Sequence, residues 1–304
     1  MLGGTTMRDK GWILYTALLV LFWGVWGAFS ALPTQLYGYP DQMVYIIWAF
    51  TMLIPCWFGL RRDRFDRRAI AAVYGLAIGL TGAGGQLLLF KALTIGPAYL
   101  IFPVISVSPA ITVLMAFVLL REKIAGLGVL GVVLALVAVV MFSVPTETAG
   151  GASYGPWLLL AIIICVCWGV QAFLMKRAAL AGVNDGTTFA WMTVSGFLLV
   201  PVAYWMMQAP ATGYPWAAPG LTLVTQLLNA IGALFLVMAL SRGKAVIVAP
   251  CTNALAPVLT IILSLVFYGT FPSVPSFLGI VLAIVGSTLM VYSEERAAAS
   301  VVHA

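Results

Sequence analysis

Long apolar stretches alternate with short polar ones along the whole chain. A membrane-spanning helix needs about 20 consecutive, mostly apolar residues. The stretches are continuously apolar, whereas the strands of outer-membrane barrels alternate apolar and polar positions over about ten residues. The pattern therefore predicts an all-α membrane protein with ten transmembrane helices, at residues 12–31, 41–60, 69–93, 97–120, 124–144, 156–176, 185–207, 217–240, 244–268 and 273–292.

Composition excludes a soluble protein. Of the 304 residues, 63% are hydrophobic and 8% are charged, and the mean hydropathy is +1.09. A soluble domain averages about 25% charged residues. Fifteen basic and nine acidic side chains cannot cover a globule of this size. Disorder is excluded as well, because it requires low hydrophobicity and high charge.

The basic residues predict the orientation of the spans. Lys and Arg concentrate in cytoplasmic loops near span ends. With the N-terminus inside and ten crossings, Lys91 is the one basic residue outside. We therefore expect both termini to be cytoplasmic. The inside set is Arg8, Lys10, Arg61, Arg62, Arg64, Arg67, Arg68, Arg121, Lys123, Lys176, Arg177, Arg242, Lys244 and Arg296.

The two halves of the chain resemble each other. Residues 90–96 correspond to 237–243 at an offset of 147, which also pairs Pro103 with Pro250. Trp23-Gly24-Val25 meets Trp168-Gly169-Val170 at an offset of 145. The repeats predict two domains, 12–144 and 156–292, with five spans each. An odd number of spans requires the second copy to be inverted, which is an architecture of secondary transporters.

The first helix of each half contains a Trp-Gly pair, and an Ala-Leu-x-x-Gly…Pro element joins helices 3–4 and 8–9. In these two features the chain resembles the drug/metabolite transporter superfamily, EamA type. Within it, the chain is most similar to the aromatic amino acid exporters. The resemblance implies ten helices and export from the cytoplasm across the bacterial inner membrane. It also implies a central cavity lined mainly by helices 1, 3, 4, 6, 8 and 9.

Catalytic and cofactor chemistry lacks its usual residues. The one histidine is His303 in the C-terminal tail, and no P-loop motif occurs. The Gly-x-Gly-x-x-Gly pattern at 126–131 lies in a predicted span without a preceding strand, so helix packing explains it better than a dinucleotide site. We expect no cofactor and no metal. All nine acidic residues lie in loops, tails or span ends, so no carboxylate relay is visible, although proton coupling by another route stays open.

Polar and aromatic side chains within spans are the candidate binding residues. The polar candidates are Gln86, Ser106, Gln171, Asn229 and Asn253. The alternative for them is hydrogen bonding between helices. Trp23, Trp26 and Trp168 lie inside their spans rather than at the membrane interface. We interpret them as apolar walls for a substrate ring or alkyl chain.

Paired prolines predict breaks in helices 4 and 9. A proline leaves the carbonyl four residues earlier without its donor. Pro103 would thus free the Tyr99 carbonyl for a substrate ammonium, and the other prolines of the set are Pro109, Pro250 and Pro257. A simple kink is the alternative. Lys91 either extends to the outer interface, as long cationic chains do, or acts as a counter-charge for a substrate carboxylate.

These features predict an alternating-access exporter of amino acids, aromatic and other neutral ones, or of similar small amphipathic amines. The expected partners are the lipid bilayer and this small-molecule substrate, with no nucleic acid, and the protein would be a monomer or weak dimer. Efflux of drugs, quaternary amines or nucleobases is the alternative, because aromatic walls also attract cations. A membrane-embedded enzyme or a structural subunit fits the sequence less well.

Overall fold

The computed structural model describes residues 11–95, 101, 104–105, 107–142, 155–207, 212–269 and 273–302. Every longer element in this part of the chain is an α-helix, as continuous apolar stretches require. The helices are α1 (Gly11–Phe29), α2 (Leu32–Tyr37), α3 (Asp41–Thr51), α4 (Leu53–Arg62), α5 (Ala69–Ile95), α6 (Ser108–Leu119), α7 (Gly126–Phe142), α8 (Pro156–Leu180), α9 (Asp185–Leu198), α10 (Val200–Met206), α11 (Ala217–Arg242), α12 (Ala245–Tyr268) and α13 (Val274–Val302).

Eight segments of the described chain are long and apolar enough to cross a membrane. They match eight of the ten predicted spans. The other two predictions, 97–120 and 124–144, correspond to the shorter apolar helices α6 and α7. Part of the first of these lies outside the described residues, so the count of ten remains a prediction. The eight segments are Gly11–Tyr37, Asp41–Arg62, Ala69–Leu89, Pro156–Leu180, Asp185–Met206, Ala217–Arg242, Ala245–Tyr268 and Val274–Glu294.

The second span of each half is bent. The helix is interrupted at Met52, shortly before Pro55, and the equivalent span is interrupted at Leu199, shortly before Pro201. Each proline lacks the N–H that would continue the hydrogen-bond ladder, and this is the ordinary cause of a helix kink. The two prolines thus break the helices α3–α4 and α9–α10, although the sequence analysis did not single them out.

The prolines that were expected to break helices behave differently. Helix α12 is continuous through Pro250 and Pro257, so the expected interruption is absent and each proline removes one backbone donor only. Neighbouring helices and Thr side chains can satisfy the freed carbonyls within a membrane bundle. Pro109 lies in the first turn of α6, where its missing N–H costs nothing. Pro103 lies outside the described residues.

The first helices of the two halves run in opposite directions. Tyr15, near the start of α1, accepts a hydrogen bond from Arg62 at 3.0 Å and lies under the Arg242 guanidinium. Lys176, near the end of α8, donates to the Gly243 carbonyl beside the same arginine. Helix α1 therefore begins at the end of the molecule where α8 finishes. We call this the charged end, because Arg62, Arg242 and Lys176 lie there.

The halves exchange equivalent contacts. Helix α1 packs along α11 and α12 of the second half, and α8 packs along α5 and α6 of the first. Helices α7 and α13 pack mainly on each other, and both also contact α12. A Cβ added at Gly131 would lie 2.6 Å from the Gly286 carbonyl oxygen, and one at Gly286 would lie 2.7 Å from that of Gly131. Residues 126–131 therefore start a helix that packs closely on its partner, as the packing interpretation predicts.

Candidate functional site

A cavity of about 530 Å³ lies near the middle of the bundle, between the two halves. It falls within the usual range for small-molecule sites, about 300–1,000 Å³. None of its described lining side chains is charged. The lining consists of Trp23, Trp26, Gly27, Trp48, Met52, Gly79, Gly82, Ala83, Gln86, Ser108, Pro109, Thr112, Trp168, Gln171, Ala172, Met175, Met192, Asn229, Ala233, Leu236, Ala249, Thr252, Asn253, Ala256, Pro257 and Thr260.

The two predicted tryptophans make equivalent hydrogen bonds across the halves. The indole nitrogen of Trp23 donates to the backbone carbonyl of Asn229 at 3.2 Å. That of Trp168 donates to the carbonyl of Gly82 at 3.3 Å. The acceptors are related by the same offset of 147 that defines the repeat. Each indole N–H is therefore satisfied by backbone of the opposite half, which fixes the ring as a wall of the cavity.

The glycine beside each tryptophan lets a helix of the opposite half approach. A Cβ on Gly24 would lie 2.6 Å from the Leu259 side chain, and one on Gly169 would lie 2.6 Å from Ile111. The carbonyls of the two glycines accept from Thr260 and Thr112, each at 2.9 Å. The repeated Trp-Gly pair is thus the contact that joins the halves around the cavity.

Three of the four predicted carboxamides are available to a ligand. Gln86, Gln171 and Asn229 line the cavity, and their side-chain carboxamides form no hydrogen bond within the described part of the chain. The Asn253 amide nitrogen donates to the Ala249 carbonyl of its own helix at 2.9 Å and to the Thr252 hydroxyl at 3.5 Å, so its amide oxygen is the atom left for a ligand. A carboxamide offers both donors and acceptors. The cavity therefore presents neutral polar groups of both kinds.

The remaining candidates divide into three groups. Trp26, Pro109 and Pro257 line the cavity, and the Trp26 indole nitrogen is buried without an acceptor among the described residues. Pro250 is buried in α12 but lies outside the lining, and Lys91 is exposed near the far end of α5. Tyr99 and Ser106 lie outside the described residues.

The second span of each half also contributes to the lining, which the sequence did not predict. Trp48 of α3 and Met192 of α9 line the cavity, and so does Met52 at the interruption between α3 and α4. The resemblance did not place these spans at the cavity. Large side chains inside otherwise apolar spans are the signal that could have indicated them.

Polar contacts close the bundle at the charged end. The guanidinium of Arg242 binds the Asp185 carboxylate at 2.6 Å, and Lys176 donates to the Gly243 carbonyl at 2.5 Å. The Glu122 carboxylate accepts from the first backbone N–H groups of α12, at 3.1 and 2.9 Å. Between these contacts and the cavity, residues 237–240 and 245–248 are fully buried. The charged end is therefore closely packed, apart from a small cavity of about 140 Å³ lined by Trp12, Lys176, Arg242, Gly243, Lys244, Ile247 and Glu294.

The loop after α4 is also fastened at this end. The Asp63 carboxylate accepts from the Gly186 amide at 3.0 Å, and Arg68 donates to the Gly182 carbonyl at 2.8 Å. The Arg68 guanidinium binds the Asp66 carboxylate at 2.6 Å and thereby holds the pKa of that carboxyl below its usual 3.8. Because the Arg68 side chain is 54% exposed, this ion pair orders the loop more than it stabilises the fold.

The chain resembles known proteins across both halves. It is 38% identical over 135 residues to an uncharacterized protein of Methanocaldococcus jannaschii, a match that takes 44% of this chain and 94% of that protein. The fold is also similar to that of a protein whose crystal structure has been solved, with a TM-score of 0.74 and 21% sequence identity. The similarity covers 94% of this chain and 98% of that protein. The sequence model of the EamA-like transporter family matches twice, at residues 10–144 and 155–292. The chain therefore belongs to the EamA-like transporter family and is a multi-pass membrane transporter of the drug/metabolite type.

Proposed function

We propose that this transporter exports amino acids, aromatic and other neutral ones, or similar small amphipathic amines, across the bacterial inner membrane by alternating access. The observation that carries the proposal is the cavity itself. It combines tryptophan walls with three carboxamides that have no hydrogen-bond partner in the described chain, and no charged side chain lies in its described lining. Such a lining matches a solute with an apolar side chain and a zwitterionic or weakly cationic head.

Charge selectivity favours this class over anionic metabolites. Sugar phosphates and other phosphorylated solutes are bound by clusters of Arg or Lys, whereas the described cations of the charged end lie outside the cavity lining. Carboxamide oxygens can accept from an ammonium group and carboxamide N–H groups can donate to a carboxylate. One neutral cavity can therefore bind both ends of a zwitterion.

The proposal includes a topology and an assembly state. Ten crossings with both termini in the cytoplasm would place the charged end inside, as the distribution of Lys and Arg predicts. Similarity to the aromatic amino acid exporters within the family favours the same direction of transport. The functional unit would be a monomer or weak dimer, since the cavity is built within one chain.

Reconstitution tests the substrate class. Purified protein in liposomes should give saturable uptake of labelled phenylalanine, tryptophan and leucine, measured with and without a pH gradient against protein-free liposomes. Leucine and phenylalanine should compete for one site. Saturable flux of a quaternary amine or nucleobase, without flux of any amino acid, would instead support the alternative function.

A further inference from the structure

The pseudo-symmetry of the cavity is broken at three positions: two of the differences place a glutamine on one side, and the third places Asn229 on the other. Gln86 corresponds to Ala233 at an offset of 147, and Gly82 corresponds to Asn229 at the same offset. Gln171 corresponds to Trp26 at an offset of 145. All six residues line the cavity. One side, between α5 and α8, thus has two glutamines where the other side, between α1 and α11, has a tryptophan and an alanine.

Gln171 packs on the face of α5 that carries Gln86, because a glycine makes room for it. A Cβ on Gly82 would overlap the Gln171 carboxamide, so the side chain of Gln171 lies directly on the backbone of α5. Gln86 follows Gly82 by four residues and therefore shares its face of the helix. The carboxamides of Gln86 and Gln171 are both without a hydrogen bond inside the described chain.

On the opposite side, two of the three corresponding positions are apolar. Trp26 and Ala233 occupy the places of Gln171 and Gln86, and Asn229 occupies the place of Gly82. The backbone carbonyl of Asn229 is held by the Trp23 indole, which adds a second aromatic ring to this side. This side can accept an apolar group of variable size, whereas the glutamine side can satisfy a fixed set of polar atoms.

The geometry points to a defined orientation of the substrate: Gln86 and Gln171 bind the head group common to all substrates, and Trp26 with Ala233 contacts the part that varies. The inference rests on the proposed function and specifies which residues determine affinity and which determine selectivity. Gln86 and Gln171 are binding residues here, and Gly82 positions Gln171.

Competition binding on the full-length protein in detergent separates the two roles. The probes are phenylalanine, tryptophan and leucine, together with phenethylamine, which lacks the carboxylate. Gln86→Leu and Gln171→Leu should each weaken all three amino acids by the same factor, about ten- to hundred-fold for one lost hydrogen bond to a charged group. Trp26→Leu should weaken phenylalanine and tryptophan more than leucine.

Two controls keep the outcome interpretable. Gln171→Asn retains the carboxamide and should keep the relative order of the amino acids, and unchanged thermal unfolding shows that each variant is folded. A Gln variant that changes the phenylalanine-to-leucine ratio without a common loss would overturn the head-group assignment alone. Absence of binding of every amino acid to the unmodified protein would overturn the proposed function, and the assignment with it.

Discussion

The indole nitrogen of Trp168 lies 3.3 Å from the Gly82 carbonyl oxygen, to which it donates a hydrogen bond between the two halves of the protein. Trp23 makes the corresponding bond to Asn229 at 3.2 Å. The two tryptophan rings that form walls of the cavity are therefore also structural contacts between the repeats. A change at either residue should alter stability as well as binding, and the two effects can be separated.

Replacing Trp168 or Trp23 by Phe removes the indole donor and keeps an aromatic wall. Each replacement should lower the free energy of unfolding by about 0.5–1.5 kcal/mol, the usual net contribution of a hydrogen bond. Thermal unfolding in detergent measures this. Because the two bonds are equivalent, the two variants should lose similar amounts. A loss in one variant and none in the other would show that the repeat-related contacts are energetically different.

Two neighbouring glycines of α5 provide a sharper test of the close approach. A Cβ on Gly85 would lie 2.6 Å from the Trp168 indole nitrogen, whereas one on Gly84 meets nothing within 4 Å. Gly85→Ala should therefore displace the indole and destabilise the protein by about 1–3 kcal/mol, as overpacking does. Gly84→Ala is the matched control and should be tolerated. Equal melting temperatures for the two variants would contradict the close packing of Trp168 on Gly85.

The charged end should open when its ion pair is removed. Arg242→Gln leaves the Asp185 carboxylate, whose side chain is 9% exposed, without its cation. Loss of one partner of a buried pair is costly because the remaining charge is poorly solvated. A cysteine placed by Ile247→Cys, a position buried to 2% exposure in the unmodified protein, should then react faster with a membrane-impermeant thiol reagent, as read by peptide mass spectrometry.

The control for this experiment lies at the same end. Arg67, in the loop after α4, is exposed and forms no ion pair in the described part of the chain. Arg67→Gln removes a positive charge without leaving a carboxylate unpaired and should leave the labelling rate unchanged. If both variants accelerate labelling equally, the general loss of positive charge would explain the effect and the Arg242–Asp185 contact would not be a closing element.

The loop after α4 should loosen in acid. The pKa of Asp66 is lowered in the folded protein by the Arg68 guanidinium, below its usual 3.8. A lowered pKa means that the stabilisation is present above the unfolded value and is lost as pH falls through the folded value. Protection of the Arg68 amide from hydrogen exchange, corrected for intrinsic rates, should decrease from about pH 5 to about pH 2. Asp66→Asn should abolish this pH dependence of amide protection. If the dependence persists in that variant, a different titrating group causes it.

Much of the architecture follows from local features of the sequence. Continuous apolar stretches require helices in hydrocarbon, because no water is present to satisfy exposed backbone groups. Eight of the ten predicted spans coincide with apolar helices long enough to cross a membrane. The offset between Trp23-Gly24 and Trp168-Gly169 also predicted equivalent roles, and both tryptophans line the cavity.

Other features depended on neighbours that are distant in the sequence. Pro55 and Pro201 coincide with kinks whereas Pro250 and Pro257 lie within a continuous helix, since surrounding helices determine whether freed backbone groups are satisfied. Trp48 could not be assigned to the cavity, because an apolar span does not reveal which side faces its own bundle. Sequence alone determined the helices, the repeat and the sorting of charge, because each depends on residue type and spacing. Only the tertiary structure decided which carboxamides lack partners and which polar contacts form at the charged end, because both depend on how residues distant in the sequence pack together.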